Sequence, residues 1–169
     1  ENKIFMNVKE ASKVHEEDEQ KSKFKRVYLC WGPLKKSFQN ACRPVIGVDG
    51  CHLKGPHGRV LLTVVEIDAN NCIFPFAYAI VEKREEENMV VVSELLGQDL
   101  NIVNSHCYIF MSEKQTGLID AVVEIFPNAS HRCCVRHLYN NFKGQFKGRV
   151  LKDLLWKAAR ATTVGVFTK

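Results

Sequence analysis

The sequence predicts a mixed α/β domain in which a three-stranded antiparallel meander is followed by helices alternating with parallel strands. Three observations predict it. A β-branched run, Val60 to Ile67, lies between two clusters of turn residues and is flanked by two further apolar runs. Apolar residues then recur at helical spacing, at 91, 92, 95, 96 and 100 and again at 118, 119, 122, 123 and 126. The short run Cys107 to Met111 and a short strand around His131 to Cys133 separate the helical segments. The length of 169 residues matches one ordinary domain, enough to bury roughly 70% of the surface of the unfolded chain. With 46% hydrophobic and 25% charged residues, a wholly disordered, collagen-like or coiled-coil chain is excluded. Apolar stretches such as Val60 to Val65 and Met89 to Val92 are far shorter than the roughly 18 residues a membrane span needs.

Residues 1–23 are polar and lack a sustained period, which predicts a flexible lead-in before a domain over 24–169. The start lacks an initiator Met and an apolar signal core, so the expectation is a fragment without visible secretory targeting. Phe24 to Trp31 reads as a short strand, and Pro33 opens a helix to about Ala41. Val45 to Val48 reads as the next strand, ending in Asp49-Gly50, with Gly55, Pro56 and Gly58 as further turn residues. Asp68 to Asn71 is a second turn before the strand Cys72 to Val81. A helix of about four turns follows the charged stretch Glu82 to Glu87. After the strand Cys107 to Met111, Ser112 is placed to cap a helix over Glu113 to Phe126, closed by Pro127 and Asn128. A helix through Phe146 follows the strand at His131, and Gly148 separates it from an amphipathic helix, Val150 to Ala161.

Seven cysteines are an odd number, and five sit singly in apolar segments where a free thiol packs as a small hydrophobe, pointing to a reducing compartment. Charge is unevenly spread. Residues 1–124 carry 15 Lys and Arg against 18 Asp and Glu, a net −3, whereas residues 125–169 carry nine against one, a net +8. Such asymmetry suits a polyanionic partner, most often nucleic acid, while a solvated helix face accounts for any single Lys or Arg.

Two acids stand out. Asp49 and Glu113 each follow an apolar strand directly, and the strands containing Val45 to Asp49 and Cys107 to Met111 are expected to be adjacent and parallel, so that the two carboxylates converge on one site suited to a divalent cation. Asp-Gly between strands is also the commonest hairpin signal, and Glu113 is equally natural as a first-turn acid favoured by a helix dipole. Cys134 and His137, three apart on a helix turn, suit a shared zinc ion, with His131 and Cys133 as the only nearby further ligands for a four-ligand site. The alternative packs Cys134 in the core and hydrogen-bonds His137 within the fold. Arg132, Arg136, Lys143, Lys147 and Arg149 are candidates to lead DNA phosphates towards the acids. Phe142, Phe146 and Trp156 read as core residues by their helical spacing.

The run CRPVIGVDGCHLKGPHG, the continuation VEIDANNCIFPFAYAIVE, the segment FMSEKQTGL and the block FPNASHRCCVRHLYNNFKGQFKG resemble the plant Mutator-like (MULE) transposases, over about residues 24–161. The CxxH characteristic of that family stands here as Cys134 and His137. The resemblance implies an RNase H-like core, truncated at its C-terminal end, whose three acids hold two Mg²⁺ or Mn²⁺ ions for DNA cleavage and strand transfer. It implies DNA as partner, self-association or contact with other transposase subunits, a nuclear location, no membrane and no small-molecule substrate. Asp49 matches the first acid. The second is an Asp in an SDxxxGL motif, where this chain has Ser112-Glu113-Lys114-Gln115-Thr116-Gly117-Leu118. The third, a Glu downstream of CxxH, has no counterpart, since Asp153 is the only acid after Glu124 and does not match it. An aromatic-rich Ser-Trp-x-Trp start to the first core helix is replaced by Asn88-Met89-Val90-Val91. These departures predict a catalytically defective copy, or a domesticated DNA-binding or protein-assembly module acting in transcriptional regulation.

Overall fold

The computed structural model describes residues 26–55, 58–82, 86–114 and 117–168, so the expected lead-in at 1–23 lies outside the described residues. The chain folds as two compact units, Glu1–Arg132 and Cys133–Lys169. The first is built on a six-stranded mixed sheet in the order β1-β4-β3-β2-β5-β6. Its elements are β1 (Arg26–Cys30), α1 (Gly32–Ala41), β2 (Cys42–His52), β3 (Val60–Asp68), β4 (Ile73–Val81), α2 (Glu86–Leu100), β5 (Ile109–Ser112) and α3 (Leu118–Ile125), with β6 (Ser130–Cys133) at the sheet's far edge.

The expected meander is present: β2 pairs antiparallel with β3, and β3 with β4. Its first strand is longer than expected. Asp49-Gly50 is not a hairpin turn, because Asp49 pairs with Thr63, Gly50 with Leu62, and the ladder runs on to His52 and Val60. The reversal lies beyond it, closed by Leu53 donating its backbone N–H to Arg59 O. β5 joins the other side of β2 in parallel, Val45 opposite Ile109 and Val48 opposite Ser112. That parallel neighbourhood is what the sequence led us to expect, although Cys107 lies in a 3₁₀ turn, Ser105–Cys107, rather than in the strand. β1 pairs antiparallel with β4, Cys30 opposite Ala77, an edge position that its own composition does not specify.

Alternation along the strands decides which face is buried. Ile46 and Val48 of β2, and Val60, Leu62, Val64 and Glu66 of β3, point into the core with Phe110 of β5 and Ala77, Ala79 and Val81 of β4. α1 brings Phe38 against Phe76 and Tyr108, with ring centroids 6.0 and 6.1 Å away. α2 contributes Met89, Val92, Leu96 and Leu100, and Phe126 stacks on Phe110 at 4.6 Å. Each fully buried Phe or Leu contributes roughly 1.5–3 kcal/mol, so this face supplies much of the stability.

Two boundaries differ from expectation. The helix expected from Glu113 begins only at Leu118. Gly117 precedes it at φ 84°, a conformation that favours glycine, and its N–H donates to Asp120 Oδ2. Ser112 is therefore not a helix cap; it is the last residue of β5. The cysteines also differ from the small-hydrophobe reading. All seven are free thiols, but Cys51, Cys72, Cys107 and Cys133 are exposed and Cys30 alone is buried.

The second unit holds α4 (Val135–Gln145), α5 (Arg149–Ala159) and a short α6 (Val164–Phe167). None of these helices has a fully buried residue. Tyr139 of α4 meets Trp156 of α5 at 6.5 Å, and Phe142 meets Phe146 at 4.9 Å. Phe146 is half exposed, and Phe142 and Trp156 are half-buried, so these aromatics are not the core residues their spacing suggested. Among the described residues, no helix is long and apolar enough to cross a membrane.

Candidate acidic site on the central strands

β2 is flanked by β3 and β5, and its register with β5 places the two candidate acids. Val48 pairs with Ser112; Asp49 is the next residue on one strand and Glu113 the first residue beyond the other. Two parallel neighbours in register carry consecutive residues forward side by side, so the two acids occupy adjacent positions at one end of the β2–β5 pair. Asp49 lies on the sheet face opposite Ile46 and Val48, and is exposed. Its Oδ1 accepts the N–H of Gly50 at 2.9 Å. Glu113 is partly exposed.

Gly47 explains part of the close strand packing beneath Asp49. A Cβ built there would lie 2.8 Å from Val65 Cγ2, closer than real Cβ contacts. The glycine thus lets β3 present a β-branched side chain across the strand two residues before the acid.

The backbone at Glu113 is tied to the last strand through Ser112. Ser112 is buried, and its Oγ donates to Glu113 O at 2.9 Å while lying 2.8 Å from His131 Nε2. Burial, and then the Arg132 guanidinium, hold the His131 imidazolium below its ordinary pKa. β6 itself is tied to the segment before β5 by Ser130 N–H donating to Tyr108 O at 3.0 Å. From the sequence His131 is a candidate metal ligand only; its side-chain contact with Ser112 depends on β6 lying next to β5 and leaves no local sequence signal.

Cys134 stands at the N-cap of α4 and His137 within its first turn. Among the described residues, no group of three or more His, Cys, Asp and Glu side chains is placed to hold a metal ion. Two carboxylates, one within β2 and one just beyond the end of β5, are hard oxygen donors, and they suit one hydrated divalent cation that also takes phosphate oxygens. They do not by themselves make a full two-ion set.

Arg136, Lys143, Lys147 and Arg149 are exposed in the second unit, and Arg132 is exposed in the first. Lys152 and Lys157 of α5 and Arg160 at its C-cap, absent from the sequence-based set, are exposed as well. Lys143 and Lys152 each place Nζ 5.7 Å from the Tyr139 ring centre, and Arg160 lies 5.9 Å from that of Trp156. Asp153, the one acid in the sequence of the second unit, lies 3.9 Å from Arg149 within α5.

A six-stranded mixed sheet with a meander, a parallel partner strand and two acids at adjacent strand positions defines an α/β domain with a candidate acidic centre. The family model described as the MULE transposase domain matches residues 45–141, more than half of the chain and spanning Asp49, Glu113, Cys134 and His137. The chain belongs to the MULE transposase domain family. No curated protein matches it.

Proposed function

We propose that this chain is an RNase H-like transposase core that binds a divalent cation between Asp49 and Glu113 and DNA through its basic helices, with no complete catalytic set among its described residues. The observation that carries the reading is the parallel register of Val48 with Ser112, which gives the two acids adjacent positions. The meander running into a parallel neighbour of its first strand is the arrangement the family resemblance implies, and it supports the same reading. Mg²⁺ or Mn²⁺ is the cation that this donor chemistry fits. When bound, such an ion supplies Lewis-acid charge to a phosphate oxygen. Asp49 and Glu113 hold it, and Arg136, Lys143, Lys147 and Arg149 attract the phosphate backbone.

Strand transfer in two-ion enzymes needs both attacking and leaving oxygens stabilised. With no third acid beside Asp49 and Glu113 among the described residues, and a Glu whose extra methylene moves its carboxylate by about 1.5 Å, the chain lacks that arrangement. Misplacement by about 1 Å alone costs on the order of 100-fold in rate. The expected outcome is no strand cleavage of a labelled duplex by residues 1–169 in Mg²⁺ or Mn²⁺. Cleavage that disappears in Asp49→Ala would overturn the defective reading and return the chain to the nucleases. A nuclear location and self-association follow from the same reading, and duplex binding without cleavage is also what a domesticated regulatory module would show.

A further inference from the structure

Glu113 stands just beyond the end of β5, where the ladder to β2 stops at Ser112. A ligand at such a place needs its backbone held by something other than strand pairing. Ser112 has one hydroxyl proton, and it donates that proton to the Glu113 carbonyl oxygen at 2.9 Å. A carbonyl only accepts, so the 2.8 Å contact between Ser112 Oγ and His131 Nε2 must be made with His131 as donor. We infer that His131, through the buried Ser112 hydroxyl, is a positioning residue for Glu113: an imidazole with a proton on Nε2 orients Ser112 Oγ, which pins the peptide carrying the cation ligand. This rests on the reading of Asp49 and Glu113 as cation ligands and deepens it.

The chain of bonds runs across two neighbouring strands. β6 brings His131 beside β5, and Ser112 faces the core side of the sheet, where it is only 3% exposed. Solvent therefore does not compete for the hydroxyl, and loss of the imidazole leaves Ser112 Oγ buried without its donor. Groups that orient a ligand in this way typically change metal affinity by about 10- to 100-fold when removed.

The test uses the whole chain and Mn²⁺ alone as probe, with affinity read by electron paramagnetic resonance. Wild type binds Mn²⁺ and Asp49→Asn does not; His131→Ala binds about 10- to 100-fold more weakly, and His131→Gln, which keeps a donor for Ser112, recovers most of the loss. Long-range ¹⁵N spectra of the wild type show His131 as the Nε2–H tautomer, and added Mg²⁺ shifts that resonance. Mn²⁺ binding that is absent, or indifferent to Asp49→Asn, overturns the cation reading and the positioning role together. Asp49-dependent binding that is undiminished in His131→Ala overturns the positioning role alone. So does an Nδ1–H tautomer, or a His131 resonance unmoved by Mg²⁺, and both are measured without any variant having to fold.

Discussion

Glu66 is the residue whose environment most conflicts with its chemistry. It faces the core from β3, opposite Ile46, and is fully buried. Neither carboxylate oxygen meets a hydrogen-bond partner of ordinary geometry among the described residues. Burial pushes its pKa up from 4.5 to about 7, with the Cys42 thiol opposing, and the same neighbourhood pushes Cys42 up to about 12, burial first and Glu66 second. A carboxyl whose folded pKa is raised binds its proton more tightly in the folded state. Its contribution to stability is therefore full below about pH 4.5 and is lost as pH rises through about 7. At 1.36 kcal/mol per unit the loss is on the order of 3 kcal/mol. Glu66→Gln should flatten that part of the profile, so that urea denaturation finds the variant more stable than wild type above neutrality and little changed in acid. Parallel profiles would show that Glu66 ionises freely in the folded chain. A second residue-scale prediction concerns Gly47. The Ala methyl would press on a stiff Val65 side chain, and Gly47→Ala should destabilise by about 1–3 kcal/mol in the same assay. A shift within error would mean that Val65 turns aside at no cost.

Among the elements, α1 and α2 are clamped by one ion pair. Lys35 of α1 reaches Asp99 of α2, whose side chain is 8% exposed and lies among Tyr28 and Cys30 of β1. Burial, with Asp99 adding to it, raises the pKa of both the Tyr28 hydroxyl and the Cys30 thiol, so neither ionises at neutral pH. Lys35→Met would leave the buried carboxylate without its cation and should destabilise by about 1–3 kcal/mol. Lys35→Met combined with Asp99→Leu should recover most of that, because replacing both partners removes the uncompensated charge. Additive losses in this cycle would show that the pair is uncoupled. The elements themselves were largely legible. Periodicity placed the helices at 86–100, 135–145 and 149–159 to within a few residues, because an amphipathic stripe is written locally. What escaped reading was set by partners distant in sequence. β2 runs through Asp49-Gly50 because its ladder with β3 continues there, Asp49 opposite Thr63 and Gly50 opposite Leu62, overriding a strong turn dipeptide. α3 starts at Leu118 because Ser112 remains in β5 and Gly117 makes the turn. The parallel neighbourhood of the strands that lead to Asp49 and Glu113 was expected because both acids follow apolar strands, whereas the register that sets Val48 opposite Ser112 is a matter of topology and leaves no local signal.

At the scale of the whole molecule, charge divides near the boundary between the two units. The unit after Arg132 carries the excess positive charge, and the side chains of Lys143, Lys147 and Arg149 stand in solvent. Lys143 and Lys152 flank the Tyr139 ring, so this surface combines cations with an aromatic side chain on one helix pair. Exposed cations bound to phosphates release condensed counterions, and affinity for duplex DNA then falls with salt by about 0.9 in log–log slope per phosphate neutralised. Sequence-independent binding of this kind typically has a Kd of about 10⁻⁴ to 10⁻⁶ M at physiological salt. Reversing Lys143, Lys147 and Arg149 to Glu removes three cations and adds three anions, so both the affinity and the salt slope should fall, the slope by about three. Fluorescence anisotropy of a labelled duplex across a salt series measures both, and two unrelated duplex sequences should behave alike. All three side chains are exposed, so circular dichroism of the triple variant should match wild type. Retention of duplex by a folded triple variant, with an unchanged salt slope, would show that the cations of α4 and α5 are a solvated face and that DNA is held elsewhere.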